Sequence, residues 1–252
     1  ETETGKIGLK GRRIMYSGSK RGVIAQFDRY SLYLDFEPET WTGLTDQVKP
    51  TLCRRGEIIR PGGDTSARIT IMLSGIAQVG TVLQSGRGIV THLIGPGAVW
   101  GMPSAYADDV TLPTRTSLTA VTECTVCHVP RHTLLQWVEQ DHWNYEQILH
   151  HECRKSLVFV QHIELLSIPT MRCRISTLLL SLCSSVGEDC AEGLRIPLRL
   201  THQQIADIVH SDRVTVARII SELVKSGLVV KLQGCLVLLD VHRLCDVAMG
   251  LG

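Results

Sequence analysis

Arg213, Val214, Thr215 and Arg218 stand together on a segment whose remaining residues are apolar at helical spacing. Val216, Ile219, Ile220 and Leu223 recur every three to four residues, one buried stripe of a helix that begins near Asp212. The other four therefore point away from the core. Upstream, Thr201 and Gln204 have the spacing of a capping box, opening a helix to about Val209 whose facing stripe is Ile205, Ile208 and Val209. Guanidinium forks pair bidentately with guanine edges, and a helix exposing two of them near its N-terminus can reach bases in a major groove. The chemistry on offer is recognition of double-stranded DNA. The chain carries a net charge of only +1, so the attraction has to be local. Between Arg199 and Lys231 the cations Arg199, Arg213, Arg218, Lys225 and Lys231 outnumber Asp207, Asp212 and Glu222.

Other reactive residue types point to less. Cys124-Thr-Val-Cys127-His128 has the spacing of a c-type haem attachment site. The segment alternates like a strand, however, where residues three apart face opposite sides and the thiols diverge. An iron–sulfur cluster fed by N-terminal cysteines is not expected, because the first cysteine is Cys53. The nine cysteines are odd in number and irregularly spaced, as small buried hydrophobes or free thiols of a reducing compartment would be. Cys153, Cys190 and Cys235 are the ones expected to be exposed, which leaves a thiol switch open. Ten histidines leave axial haem ligation open as well. No Ser/His/Asp or paired-carboxylate constellation stands out, and the glycine clusters are turns with no following helix to cradle phosphate. No enzyme, metal site or resident cofactor is expected.

The elements that position these residues change texture along the chain. Residues 1–31 are basic and glycine-dotted, expected as a flexible arm. Residues 32–140 carry short apolar runs (Ile58-Ile59, Ile69 to Leu73, Ile76 to Val79, Val90 to Ile94, Leu118 to Val129) cut by turns, which indicates an antiparallel β-roll. A short helix from Arg131 and a long one over residues 141–168 follow. The long one spans roughly 40 Å, more than a small roll needs, so a dimerisation helix is expected. Ile168-Pro169-Thr170 breaks it at a hinge and caps the next helix. Residues 169–252 then hold the helix pair and a hairpin turning at Gln233-Gly234, a winged helix-turn-helix. The fold class is α+β. No apolar run reaches the roughly 20 residues of a membrane span and no signal-peptide layout opens the chain, so a cytoplasmic protein with no membrane partner is expected. The chain opens on Glu1 rather than Met, and an incomplete N-terminus is expected.

In this order the elements resemble the cyclic-AMP receptor protein/FNR superfamily of bacterial transcription regulators. The resemblance is carried by Arg55-Gly-Glu-Ile-Ile-Arg-Pro-Gly62 and Met72-Leu-Ser-Gly-Ile-Ala-Gln-Val79 in the roll and by Thr201 to Gly227 beyond it. It implies a cyclic-nucleotide-binding-like roll, a homodimer through the long helix, a small-molecule effector and RNA polymerase as a partner. It also implies base contacts by Arg213, Val214 and Arg218, with Thr201, His202, Gln203 and Thr215 on phosphates. Many members carry Glu where this chain has Val214; valine offers only methyls, so the preferred half-site should differ.

The effector side departs further. Cyclic-AMP binders need a Gly-Glu pair, and this chain reads Gly101-Met102. They also need an arginine on the cyclic phosphate, and here Arg115 stands one residue out of register, which in a strand turns it away. Phe159 and Val160 replace hydroxyl-bearing residues on the long helix. A polar nucleotide would be left with unpaired groups. The expected pocket is instead rimmed by Trp100, Met102, Tyr106 and Phe159, with His92 and Arg115 nearby, suited to a small, flat, apolar or aromatic molecule with one anionic group. Pro169-Thr170, Leu182 to Ser185 and Val214-Thr-Val216 with Arg218 look most like the CprK-type halorespiration branch. A haem- or thiol-based sensor with the same output is the alternative.

Overall fold

In the computed structural model, which describes residues 20–103 and 115–251, the roll is made of two sheets. Its strands are Tyr33–Leu34 (β1), Thr51–Cys53 (β2), Ile58–Arg60 (β3), Arg68–Ser74 (β4), Ala77–Val82 (β5), Gly88–Ile94 (β6), Val99–Trp100 (β7), Ser117–Ala120 (β8) and Cys124–Pro130 (β9). One sheet runs β1-β6-β5-β8-β3 and the other β2-β9-β4-β7. The run from Leu118 to Val129, expected as one strand, is two: the chain breaks at Val121–Glu123 and passes from the first sheet to the second. The roll is also not wholly antiparallel. Tyr33 and Leu34 pair in parallel with Leu93 and Ile94, which the long stretch between β1 and β6 makes possible. β1, β2 and β7 escaped the sequence reading because two or three residues show no alternation.

Side chains between the sheets, among them Met72, Val79, Ile94, Trp100, Leu118 and Val126, make one core. Trp41, Ile69, Ile71, Leu134 and Trp137 make a second, under the short helices Thr42–Thr45 (α2) and Arg131–Gln140 (α3). Then comes the long helix His142–Leu166 (α4), N-capped by Asp141, which accepts from the Trp143 N–H.

Thr170 caps Met171–Val186 (α5), whose residues Ile175 to Cys183 are all buried, as befits a helix at the centre of a domain. Around it lie His202–Val209 (α6), Arg213–Lys225 (α7), a sheet of Glu188–Asp189 (β10), Leu194–Ile196 (β11), Cys235–Leu238 (β13) and Val229–Leu232 (β12), and Val241–Ala248 (α8). The wing turns where expected: Gln233 and Gly234 both have positive φ (50° and 85°), the mark of a two-residue hairpin turn. α8 was not anticipated; two turns are too short for periodicity to stand out.

Residues 20–30 correct the expectation of a flexible arm reaching to residue 31. Lys20–Ile24 (α1) and a 3-10 turn over Ala25–Tyr30 bury Val23, Ile24 and Phe27 against α5 and α8, and Arg21 pairs with Asp189 at 2.9 Å. The same core continues through Val90 and Leu93 of β6, so the roll and the C-terminal head (residues 171–251) share apolar packing. Among the described residues no helix is long and apolar enough to cross a membrane.

Candidate DNA interface and effector groove

The helix pair is built from its caps. Thr201 accepts from the Gln204 N–H (3.1 Å) while the Gln204 side chain accepts from the Thr201 N–H (2.9 Å), the reciprocal capping box its spacing implied. His210 ends α6 in the left-handed conformation, φ 54°. Asp212 then caps α7, its two oxygens taking the N–H and the hydroxyl of Thr215 at 2.8 and 2.7 Å. Ile205, Ile208 and Val209 pack against the stripe Val216, Ile219, Ile220 and Leu223. Arg213, Val214 and Arg218 are left on the outside, Val214 with 77% of its surface exposed.

The phosphate candidates differ in readiness. Thr201 and Gln203 are exposed, although the Gln203 amide donates to Asp207 (2.7 Å). The Thr215 hydroxyl hydrogen is already committed to Asp212 and has to leave it before it can donate to a phosphate. Burial, then Lys231 and Arg213, lower the His202 pKa, so its ring is neutral at pH 7. Arg218 donates to Glu222 across one helical turn (2.7 Å), an exposed pair that yields readily to a base edge. The roll adds cations that the sequence did not single out. Arg55 donates to the Arg199 carbonyl (2.5 Å), and Arg87 shares a polar cleft with Gln203, Ser211 and Arg213.

Between the roll and α4 lies a cavity of about 210 Å³, small for a ligand site. It brings together three of the predicted effector residues, His92, Trp100 and Phe159, with Thr91, Thr116 and Lys155. His92 meets Phe159 edge-on with ring centroids 5.1 Å apart. Thr91 donates its only hydroxyl hydrogen to the Val79 carbonyl (3.1 Å), so at 3.0 Å from His92 Nδ1 it can only accept. His92 therefore carries its proton on Nδ1. Burial, aided by Lys155, His162 and His151, pushes its pKa down to about 3 and keeps it neutral. Under Trp100 lies a fully buried Arg60, its guanidinium 5.1 Å from the indole and ion-paired to Asp64 at 2.5 Å. Burial opposes the Asp64 charge, yet hydrogen bonds from Ser66 and Arg60 outweigh it and hold the pKa at about 2.

Two more of the predicted effector residues, Met102 and Arg115, lie elsewhere. Met102 is buried in the second core and lines a neighbouring apolar groove with Tyr145, Ile148 and Leu149. Arg115 is exposed and outside the cavity, while Thr116, the next residue, lines it; both precede β8, so strand alternation does not set their sides. Tyr106 lies outside the described residues. Lys155 was missed as a pocket residue. Its signal is the charged run that interrupts the apolar positions of α4 from His150 to Lys155. Lys155 and His151 both bond Glu152, and although burial works the other way they draw the Glu152 pKa down. The Val99 N–H donates to His151 Nε2 (2.9 Å), tying β7 to the long helix.

Cys124 faces the inner core opposite Cys53, and Cys127 lies buried opposite Ile71 on the other side. Burial raises all three thiol pKa values. Of the thiols expected at the surface, Cys153 is exposed and Cys190 partly so, but Cys235 is buried within the wing sheet. Among the described residues no group of three or more His, Cys, Asp or Glu could hold a metal ion.

Comparison with known proteins matches these two halves separately. Residues 51–141 match the cyclic nucleotide-binding domain family and residues 173–247 the Crp-like helix-turn-helix domain family. A CRP-like cAMP-activated global transcriptional regulator of Mycobacterium tuberculosis is 26% identical over 217 residues, covering 86% of this chain and 95% of that protein. A CRP-family transcriptional regulator of Thermus thermophilus superposes with a TM-score of 0.68 at 22% identity, over 79% of this chain and 96% of that one. CprK in complex with OCPA superposes with a TM-score of 0.61 at 17% identity, over 86% and 97%. These relatives are regulators, not enzymes. In the order the fold displays, the chain thus carries a cyclic nucleotide-binding domain and a Crp-like helix-turn-helix domain, the make-up of a Crp/FNR-type transcription regulator.

Proposed function

We propose that this regulator acts as a cytoplasmic homodimer that binds a palindromic DNA site, contacts RNA polymerase there and is controlled by a small aromatic anion. Dimerisation is supported by Leu149, Val160 and Ile163 on α4, more than half exposed and falling on one side of the helix with Tyr145. Two such heads would set their recognition helices about 34 Å apart, one turn of DNA. Arg213, Val214 and Arg218 read bases, and Thr201, His202, Gln203 and Thr215 steady the phosphates.

The observation that carries the effector reading is the lining of the cavity: Trp100, Phe159 and neutral His92 surround space that one cation, Lys155, can reach. A flat apolar body with one phenolate or carboxylate satisfies that set. Cyclic AMP does not, because Arg115 stands outside the cavity and Met102 offers no acceptor for a ribose hydroxyl. The chemistry is of the CprK type, with a halogenated phenol as the leading candidate. A thermal-shift panel of chlorinated phenols, benzoates and cyclic nucleotides tests it. Stabilisation by a phenolate or benzoate is expected; stabilisation by cyclic AMP alone would overturn the effector reading. A Soret band from the purified protein would replace it with a haem sensor.

A further inference from the structure

His162 lies on α4 three residues beyond Phe159, and its ring is almost wholly buried. Its Nε2 is 3.0 Å from the carbonyl oxygen of Ile208, in the last turn of α6. A carbonyl only accepts, so Nε2 carries the proton. On β6, which packs against α4, the Thr91 backbone faces the ring and, like Ile208, favours its protonated form, as an acceptor does. Thr91 is available for this because it is the extra residue of a β-bulge. Val79 pairs with His92 and Gly80 with Val90, leaving Thr91 without a partner on β5. Thr91 and His92 in turn line the effector cavity. One imidazole thus touches the strand that walls the cavity and the helix whose end sets the turn into α7.

We propose that His162 is a latch between the effector cavity and the DNA-reading head, pinning the end of α6 to the bulge in β6. A ligand that moves Thr91 and His92 would shift the recognition helix through this contact, in parallel with the hinge at Ile168-Pro169. The trigger rests on the effector reading above; the latch does not. The bulge is where β6 can move without breaking its ladder to β5. A neutral imidazole has one N–H to offer two carbonyls, so the contact has two discrete arrangements, as a switch element requires.

The surroundings give the latch a pH sign. His210 meets the ring from the α6–α7 turn, ring centroids 5.9 Å apart, and His92 on β6 is close enough to feel its charge. Arg174 of α5 donates to the Val209 carbonyl (3.0 Å), and Arg174 and Arg87 both bear on His210. Every one of these groups is cationic or becomes so in acid. Burial already holds the His162 pKa below its ordinary 6.5. Charging His162 therefore favours a state in which the head has moved off and the ring meets water.

Hydrogen–deuterium exchange on the full chain, without ligand or DNA, tests the latch. In His162→Leu the amides of residues 202–209 should exchange about tenfold faster, while those of residues 175–183 keep their protection, because local opening is confined to the contact that was cut. His162→Gln, whose amide still donates, should restore most of that protection. Between pH 7.5 and 5.5, after correction for intrinsic rates, the wild type should lose protection at 202–209 and His162→Gln should lose distinctly less. Wild-type exchange at 202–209 in His162→Leu would overturn the proposal, as would faster exchange spread equally over 175–183. So would a wild-type pH dependence in His162→Gln. A failure of every phenol and benzoate to bind would remove the effector reading and leave these outcomes intact.

Discussion

The head and the effector cavity are both walled by helices and strands of similar size, yet they are assembled in opposite ways. Every residue proposed to read bases falls within Arg213–Arg218, on one helix whose cap, Asp212, is its immediate neighbour in sequence. The cavity draws Thr91 and His92 from β6, Trp100 from β7, Thr116 from the edge of β8 and Lys155 and Phe159 from α4. A surface made by local periodicity can change its specificity by one exposed residue, the part proposed for Val214. A cavity made by topology changes whenever any wall shifts.

Acid should separate the two most strongly. The folded His92 pKa lies at about 3, below the unfolded 6.5. Its contribution is fully present above 6.5 and is lost as the pH falls from there toward 3, because the unfolded chain takes up a proton that the folded one refuses. Unfolding measured across that window should show stability falling with pH, and His92→Gln should flatten the slope; an unchanged slope would place the acid sensitivity outside the cavity. Next in size, Leu223→Ala should cost about 2–5 kcal/mol of unfolding free energy, since it hollows the packed stripe. Because roll and head share a core, denaturant should still give one transition, and two well-separated ones would break the picture of shared packing.

Lys155→Met should weaken binding of a chlorophenolate found in the thermal-shift panel by about 1.5–3 kcal/mol, the worth of a hydrogen bond to a charged group. Arg115→Met should change it little, and the reverse order, measured by calorimetry, would restore Arg115 to the cavity. Arg218→Ala should cost about 1–3 kcal/mol on a duplex selected from a random library and much less on unselected DNA. Equal losses on both would assign Arg218 to phosphate alone.

Periodicity and capping chemistry made the head legible in advance: the stripe from Val216 to Leu223, the capping box and the Gln233-Gly234 turn all appear in the structure at those residues. The cavity was half legible. Trp100, Phe159 and His92 converge on it, but Met102 faces the other core, because after Gly101, at φ 99°, the chain turns under α4. Lys155 was hidden in a charged run that reads as solvated surface, and only the packing of β6 against the helix shows which of its residues turns inward. Nor could composition reveal that the basic N-terminal stretch, with Val23, Ile24 and Phe27 at one-turn spacing, closes onto a domain nearly 150 residues away.

That closure decides how the molecule can be taken apart. A fragment beginning at Pro169 would hold every residue proposed to touch DNA and still leave a cleft along α5 and α8 open to water, the one that Val23, Ile24 and Phe27 fill. Such a fragment should be sticky and poorly soluble alone, and a peptide of residues 20–30 supplied in trans should cure it. Residues 20–30 and the C-terminal helices thus complete a single folding unit, and the segment that looked most dispensable is part of its lining.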